Sequence, residues 1–96
     1  MKDCTLRLVI VLEHLASNRH RPVSTHELVR LVQQHRLNAC ERTIQRCIGQ
    51  LNHGYYWVDD VPGGWQLACR PHRRFVQALR CIIGQQAVAR HAPAMA

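Results

Sequence analysis

Four side chains between positions 42 and 46 have the hydrogen-bonding chemistry needed to read base edges in a DNA groove. Arginine can donate two hydrogen bonds to guanine, and glutamine can bond adenine in the same bidentate way. Threonine suits a phosphate oxygen or the methyl group of thymine. We therefore predict that the following residues contact bases: Arg42, Thr43, Gln45 and Arg46.

The stretch around these residues predicts an amphipathic helix over residues 39–52. Asn38 is a suitable N-cap, and Glu41, three residues later, would complete a capping box with it. At helical spacing, one face carries the apolar side chains Ile44, Cys47, Ile48 and Leu51. The opposite face carries Arg42, Arg46, Gly49 and His53. One face can therefore pack while the other binds, although a solvated face whose arginines only confer solubility would give the same pattern.

A second short helix is predicted immediately upstream. Ser24 and Glu27 repeat the capping-box pattern, and leucines and valines at helical spacing continue to Gln34. Leu37 is placed to fill the corner between this helix and the next one. A helix, a short turn and an arginine-faced helix together form a helix-turn-helix arrangement.

The first helix is predicted over residues 5–17, with Asp3 or Thr5 as its N-cap.

Downstream of the third helix, the β-favouring residues 55–58, a turn over 61–64 and the alternating residues 65–68 predict a hairpin. A lone hairpin is barely stable, so we expect it to pack on the helices as a wing. Val23 could add a short edge strand beside it.

Three motifs resemble those of a known family. They are residues 22–28 before the second helix, residues 41–46 within the third, and the closing residues 64–67. Over residues 6–67 the chain resembles the small winged helix-turn-helix domains of bacterial transcription regulators, particularly the N-terminal domains of DeoR-like and WYL-domain regulators. The resemblance implies a mainly α fold with a small β-hairpin, built as a three-helix core plus a wing. It also implies that the helix bearing Arg42 and Arg46 enters the major groove.

A second set of residues is predicted to contact the DNA backbone. Arg19 and Arg21 precede the helix-turn-helix and can meet phosphates that flank the groove. Gly49 has no side chain and permits a close approach. The full set is Arg19, Arg21, Ser24, Thr25, Gly49, Gln50 and His53.

The C-terminal segment, residues 71–96, is predicted to add a helix to the winged domain of residues 1–70. Pro71 suits its first turn, and the helix would continue to Ala89 before a frayed tail. Its apolar stripe could pack beside the first helix or pair with the same stripe of a second subunit. We favour a homodimer, which would place two reading helices about 34 Å apart on an inverted repeat. The predicted dimer residues are Phe75, Leu79, Ile82 and Ile83.

Composition argues against several function classes. The 96 residues carry a formal net charge of +7, which favours a polyanionic partner. The five cysteines include no Cys-x-x-Cys pair, which argues against a disulfide framework or a zinc ribbon. No catalytic triad or glycine-rich phosphate loop is recognisable, so we expect a non-enzyme without metal, cofactor or small-molecule substrate. The lack of a membrane-spanning apolar run or a secretory signal predicts a cytoplasmic protein.

One cysteine has a distinctive position. Cys40 falls in the first turn of the predicted reading helix, where the helix dipole and Arg42 are expected to lower its thiol pKa. The two interpretations are a redox switch on DNA binding and, more simply, a bystander thiol.

These features together predict a sequence-specific regulator of transcription that occupies an operator in double-stranded DNA. One alternative is an architectural or accessory protein for phage or plasmid DNA, with weak sequence preference. Another is a winged helix used as a protein-interaction module, which the acidic pair Asp59 and Asp60 in the hairpin favours.

Overall fold

Four helices and a two-stranded antiparallel hairpin make up the residues that the structure describes. The structure is a computed structural model, and it describes residues 1–53 and 57–91. The elements are α1 (Asp3–Ser17), α2 (Thr25–Gln34), α3 (Glu41–Leu51), β1 (Val58–Val61), β2 (Gly64–Leu67) and α4 (Arg73–His91). The prediction of a mainly helical chain with one small hairpin is confirmed. Within the described ranges, no helix combines the length and apolar character needed to cross a membrane.

The helix caps agree with the sequence pattern only at α2. Its N-cap is Ser24, whose Oγ accepts a hydrogen bond from the Glu27 amide at 3.1 Å. The predicted N-caps Asp3 and Asn38 are wrong, because Asp3 lies inside α1 and Asn38 precedes an extended N-cap residue, Cys40. The Asn38 carbonyl instead accepts a hydrogen bond from Arg7 Nε at 2.8 Å. A tertiary contact therefore holds the chain before α3, which begins two residues later than predicted.

Helix α1 lies at the centre of the core and packs against α2, α3 and α4. Ile10 and Leu15 of α1 are buried against Leu28 of α2 and Ile44 of α3. Leu37 is 4% exposed and fills the corner between α2 and α3, as predicted. The apolar stripes of three helices thus close on one another and fix which face of α3 remains outside.

The hairpin is shifted along the chain relative to its prediction. Strand β1 pairs with β2 from Val58↔Leu67 to Val61↔Gly64. Asp59 and Asp60 therefore lie within a strand rather than beside a turn. The first two residues of the predicted hairpin, Tyr55 and Tyr56, lie outside the described residues.

A third backbone segment joins the hairpin, as predicted for Val23. Its amide donates to the Trp65 carbonyl, and its carbonyl accepts from the Trp65 amide, both at 2.8 Å. Gly64 has a φ of +142°, and a β-carbon there would lie 2.2 Å from the Val23 carbonyl oxygen. Glycine is therefore required where the hairpin meets the segment that leads into α2.

Helix α4 packs on α1 of the same chain. This packing is one of the two arrangements that the sequence allowed, the other being dimerisation. Leu79 is only 6% exposed and belongs to the core, and Ile83 packs against that core. Arg80 Nε donates to Glu13 Oε1 at 2.8 Å, which adds a polar link between the two helices. Leu79 and Ile83 thus contact the core of their own chain, and their assignment to a dimer interface stays a prediction.

The remaining two residues of the predicted dimer stripe are Phe75 and Ile82. Phe75 is 38% exposed and stacks on Trp57 with ring centroids 6.1 Å apart, while Ile82 is half-buried. The helix itself begins at Arg73, so the prediction that Pro71 occupies its first turn is wrong. The tail predicted to fray comprises residues 90–96, of which 90 and 91 belong to α4 and 92–96 lie outside the described residues.

Candidate nucleic-acid interface

The outer face of α3 carries most of the residues predicted to read bases. Arg42, Gln45 and Arg46 are exposed, and among the described residues their side chains have no hydrogen-bond or ion-pair partner. The inner face is fixed by Ile44, which is 0% exposed, and Ile48, which is 3% exposed. Burial of the inner face therefore holds two guanidinium groups and an amide outward, where a ligand can reach them.

Thr43 has a different environment from the other three. It is half-buried, and its Oγ1 lies 3.3 Å from Cys40 Sγ in a hydrogen bond that either atom can donate. This hydrogen bond is the main reason that the pKa of the Cys40 thiol lies below its ordinary value. Backbone amides of Thr43 and Arg42, and the Arg42 charge, lower the pKa further. The predicted direction is confirmed, but its largest cause is Thr43 rather than Arg42.

The thiol within α3, that of Cys47, has its pKa shifted in the opposite direction to that of Cys40. Cys47 faces the core at 5% exposure, and burial raises the pKa of its thiol. Cys40 is exposed at the N-cap position. Because the thiolate is the reactive form, reactivity at this helix is concentrated at Cys40.

A cleft separates the N-terminal half of α1 from α3. Its volume is about 450 Å³, and its α3 wall is formed by Thr43, Arg46 and Gln50. Cys4 and Arg7 of α1 form the opposite wall. The cleft therefore extends the basic outer face of α3 onto a second helix.

Arg21, predicted to bind the DNA backbone, is engaged within the fold. Its two terminal nitrogens lie 3.0 Å from Glu27 Oε1 and 2.7 Å from Glu27 Oε2, which forms a bidentate ion pair. His14 Nε2 lies 2.6 Å from the same carboxylate. Hydrogen bonds from Arg21 and then His14 lower the pKa of Glu27 to about 2. The group joins α1, the following loop and α2, so its evident role is structural.

The remaining predicted backbone contacts are distributed over several surfaces. The Thr25 hydroxyl accepts a hydrogen bond from Trp65 Nε1 at 2.9 Å, next to the capping hydroxyl of Ser24. Arg19 is exposed and lines a separate cleft near the start of α4, together with Arg70 and Val76. No residue of α3 lines that cleft. Gly49 and Gln50 are exposed on α3, and His53 is exposed two residues after its end. A β-carbon at Gly49 would meet no atom within 4 Å.

Comparison with known proteins does not decide between these interpretations. No protein-family model matches the chain, and neither a curated protein nor a solved structure matches it. The resemblance to DeoR-like regulators therefore stays a prediction based on its motifs. The functional proposal therefore rests on exposure, hydrogen bonding and charge at α3.

Two residues that position the interface were missed by sequence reasoning. Asn52, at the end of α3, accepts hydrogen bonds on Oδ1 from the amides of Trp57 and Val58, both at 2.9 Å. Its Nδ2 donates to the Val58 carbonyl at 3.1 Å, so one side chain attaches the hairpin to α3. Arg7 is the second, and it lies more than thirty positions from α3 in the chain. The polar type of each residue is visible in the sequence, but its partner is not.

Proposed function

We propose that this protein is a sequence-specific regulator of transcription that binds double-stranded DNA through a winged helix-turn-helix. In this proposal α2 and α3 are the helix-turn-helix, and the hairpin of β1 and β2 is the wing. The observation that carries the proposal is the outward placement of Arg42, Gln45 and Arg46 on α3, where they have no partner among the residues that the structure describes. Those side-chain types match the donor and acceptor pattern of guanine and adenine in the major groove.

The dimensions of α3 support entry into the major groove. With its side chains an α-helix is about 10–12 Å across, which matches the major-groove width of about 12 Å, so the 11 residues of α3 can lie within the groove. Gly49 leaves open space on the exposed side, so the helix backbone can come close to the DNA. The formal net charge of +7 supplies long-range attraction to the phosphates.

The wider parts of the proposal follow from this binding mode. The protein would act in the cytoplasm without catalysis, by occupying an operator. A homodimer on an inverted repeat stays a prediction, with Phe75 as the exposed member of the predicted stripe.

The test is selection of bound duplexes from a random pool by the full chain, followed by fluorescence-anisotropy titration of the enriched sequence. An enriched motif that is bound at least a thousand-fold more tightly than random DNA supports the proposal. An inverted repeat in that motif would also support a dimer. Binding to every duplex with equal affinity would favour an architectural DNA-binding protein, and binding to none would contradict a role on DNA.

A protein-interaction module is the second candidate function, and a specific observation favours it. Asp59 and Asp60 lie on β1 of the hairpin, with Asp60 exposed, and a carboxylate beside a phosphate is repelled. Replacing both aspartates with asparagine is expected to increase DNA affinity if the hairpin lies against phosphates. Unchanged affinity would place the hairpin away from the DNA and leave it available to a protein partner.

A further inference from the structure

The cleft between α1 and α3 is cationic and adjoins the proposed reading face. Arg7 and Arg46 stand on its two walls, and none of the described residues that line it carries a carboxylate. Its α3 side also presents the neutral donors Thr43 and Gln50. Two cations and two neutral donors without an opposing negative charge form a surface that suits an anion.

Arg7 is oriented by a backbone contact within the fold. It is half-buried, and its Nε donates to the Asn38 carbonyl at 2.8 Å. A guanidinium has five N–H donors, so the bond at Nε uses one donor and fixes the orientation of the group. The partner carbonyl lies in the connection to α3, which couples the position of Arg7 to the start of that helix.

We propose that this cleft receives a phosphate of the DNA backbone, with Arg7 as its charged ligand. The inference rests on the proposed function, and it adds a contact from α1 to the reading face of α3. Thr43 and Gln50 lie on the side of the cleft that would face the same phosphate. Phosphate contacts carry no base information but fix register and orientation. The contact at Arg7 therefore sets how α3 enters the groove.

The first experiment measures the salt dependence of binding for Arg7→Gln on the selected duplex and on random duplexes. Loss of one phosphate contact is expected to make the slope of log affinity against log salt about 0.9 less steep. Affinity should fall by the same factor on both duplexes. Arg36→Gln is the matched control, because Arg36 is exposed and lines a different cavity with residues of α4. An Arg7→Gln slope equal to that of the control would overturn the inference.

A second variant separates loss of charge from loss of fold. Arg7→Lys keeps the cation but cannot reproduce the bidentate fork of arginine. We expect it to keep the wild-type salt slope while binding more weakly. A slope as shallow as that of Arg7→Gln would show that orientation, not a phosphate charge contact, accounts for the effect. Circular dichroism checks that all three variants keep the wild-type helix content.

The phosphate itself can be located with duplexes that carry one neutral methylphosphonate at each backbone position in turn. At one position the substitution should weaken the wild type several-fold and leave Arg7→Gln unaffected. Equal sensitivity of both proteins at every position would contradict the proposal. If the wild type bound no duplex at all, the proposed function would fail instead, which is a distinguishable result.

The same cleft could bind the phosphate group of a free small molecule instead of a DNA phosphate. Inorganic phosphate is titrated at constant ionic strength into the DNA-free protein, and binding is followed by the chemical shift of the Arg7 side chain. We expect no saturable shift at millimolar phosphate, because a single backbone phosphate is held mainly through the rest of the DNA contact. Saturation at low millimolar phosphate that is lost in Arg7→Gln would assign the cleft to a free phosphate compound and overturn the DNA assignment.

Discussion

At the scale of single residues, the proposed DNA contact depends on exposed side chains that have no partner within residues 1–53 and 57–91. Arg42, Gln45 and Arg46 are exposed on α3, whereas Arg21 is bound to Glu27. A basic side chain that already has a bidentate carboxylate partner gains little from a phosphate, because it must exchange one strong ion pair for another. Exposure and the absence of a partner therefore separate candidate DNA ligands from structural cations.

The first prediction concerns Arg46. Replacing it with alanine is expected to cost about 1–3 kcal/mol of specific binding and to relax base preference at one position, because one bidentate base contact is lost. Arg36→Ala removes the same charge elsewhere and serves as the control. The measurement is anisotropy titration on the selected duplex and on single-base variants. Wild-type affinity and specificity in Arg46→Ala would show that another face reads the DNA.

The second prediction concerns Cys40 and the hydroxyl beside it. Because the hydrogen bond from Thr43 lowers the thiol pKa, alkylation of Cys40 should become fast at a lower pH than for an ordinary cysteine. Thr43→Val removes the hydroxyl and should move the midpoint of the rate profile to higher pH. Thr43→Ser keeps the hydroxyl and should leave it in place. Peptide mass spectrometry after iodoacetamide pulses gives the profile, and a midpoint insensitive to Thr43→Val would refute the assigned cause.

At the scale of elements, two polar groups determine how the helices and the hairpin are joined. The cluster of His14, Arg21 and Glu27 ties α1 and its following loop to α2. Asn52 ties the end of α3 to β1 through three backbone hydrogen bonds. Each group satisfies backbone or charged atoms that packing alone would leave unpaired.

The third prediction is a pH dependence of stability from Glu27. Its folded-state pKa of about 2 lies below the ordinary 4.5, so its stabilising effect is complete above pH 4.5. That effect is lost as pH falls from 4.5 through 2. Glu27→Gln should lower the free energy of unfolding at pH 7 by about 1–2 kcal/mol, a value reduced for solvent screening of a partly exposed carboxylate.

Urea titrations of wild type and Glu27→Gln between pH 7 and pH 2 provide the measurement. The difference between the two proteins should shrink as pH falls below 4.5, since protonation removes the ion pair from the wild type. Asp60→Asn, on the exposed side of the hairpin, is the control. A difference that stayed constant over this range would show that Glu27 stabilises the fold without its charge.

The fourth prediction concerns the attachment of the hairpin. Gly64→Ala places a β-carbon 2.2 Å from the Val23 carbonyl oxygen at a φ of +142°. We expect it to destabilise the protein by about 1–3 kcal/mol through backbone strain. Gly84→Ala, in α4 with no atom within 4 Å of the added carbon, should instead stabilise by about 0.5–1 kcal/mol. Thermal unfolding followed by circular dichroism compares them, and equal midpoints would contradict the proposed close approach.

At the scale of the whole molecule, α4 completes the core that the first three helices leave open. Leu79 and Ile83 pack against the same cluster as Leu6 and Ile10 of α1. Burial of this apolar surface within one chain removes it from any exposed stripe. Helix α1, which α3 packs against, is thus also held by an element that follows α3 in the chain by more than twenty residues.

The fifth prediction tests this role of α4. Leu79→Ala is expected to lower the free energy of unfolding by about 2–4 kcal/mol, because it leaves a cavity in the core. Val88→Ala is the control, since Val88 is 72% exposed in the same helix. Urea unfolding at several protein concentrations gives both values. A loss of stability at Leu79 that depended on protein concentration would indicate instead that this side chain packs between two subunits.

The amino-acid sequence by itself determined the local features of this protein. The amphipathic α3, the Ser24 cap and the apolar corner residue Leu37 follow from side-chain period or from short-range chemistry. Such features are decided within a few residues, so they can be predicted without knowing what packs against them.

Only the tertiary structure decided which partners the polar and apolar side chains take. It brought Arg7 to the start of α3, committed Arg21 to Glu27 and placed Leu79 in the core. Local periodicity specifies that a face is apolar or basic, but the choice of partner depends on how all the elements close together. The DNA-reading candidates on α3 were predictable, while the cleft beside them depends on contacts between residues far apart in the chain.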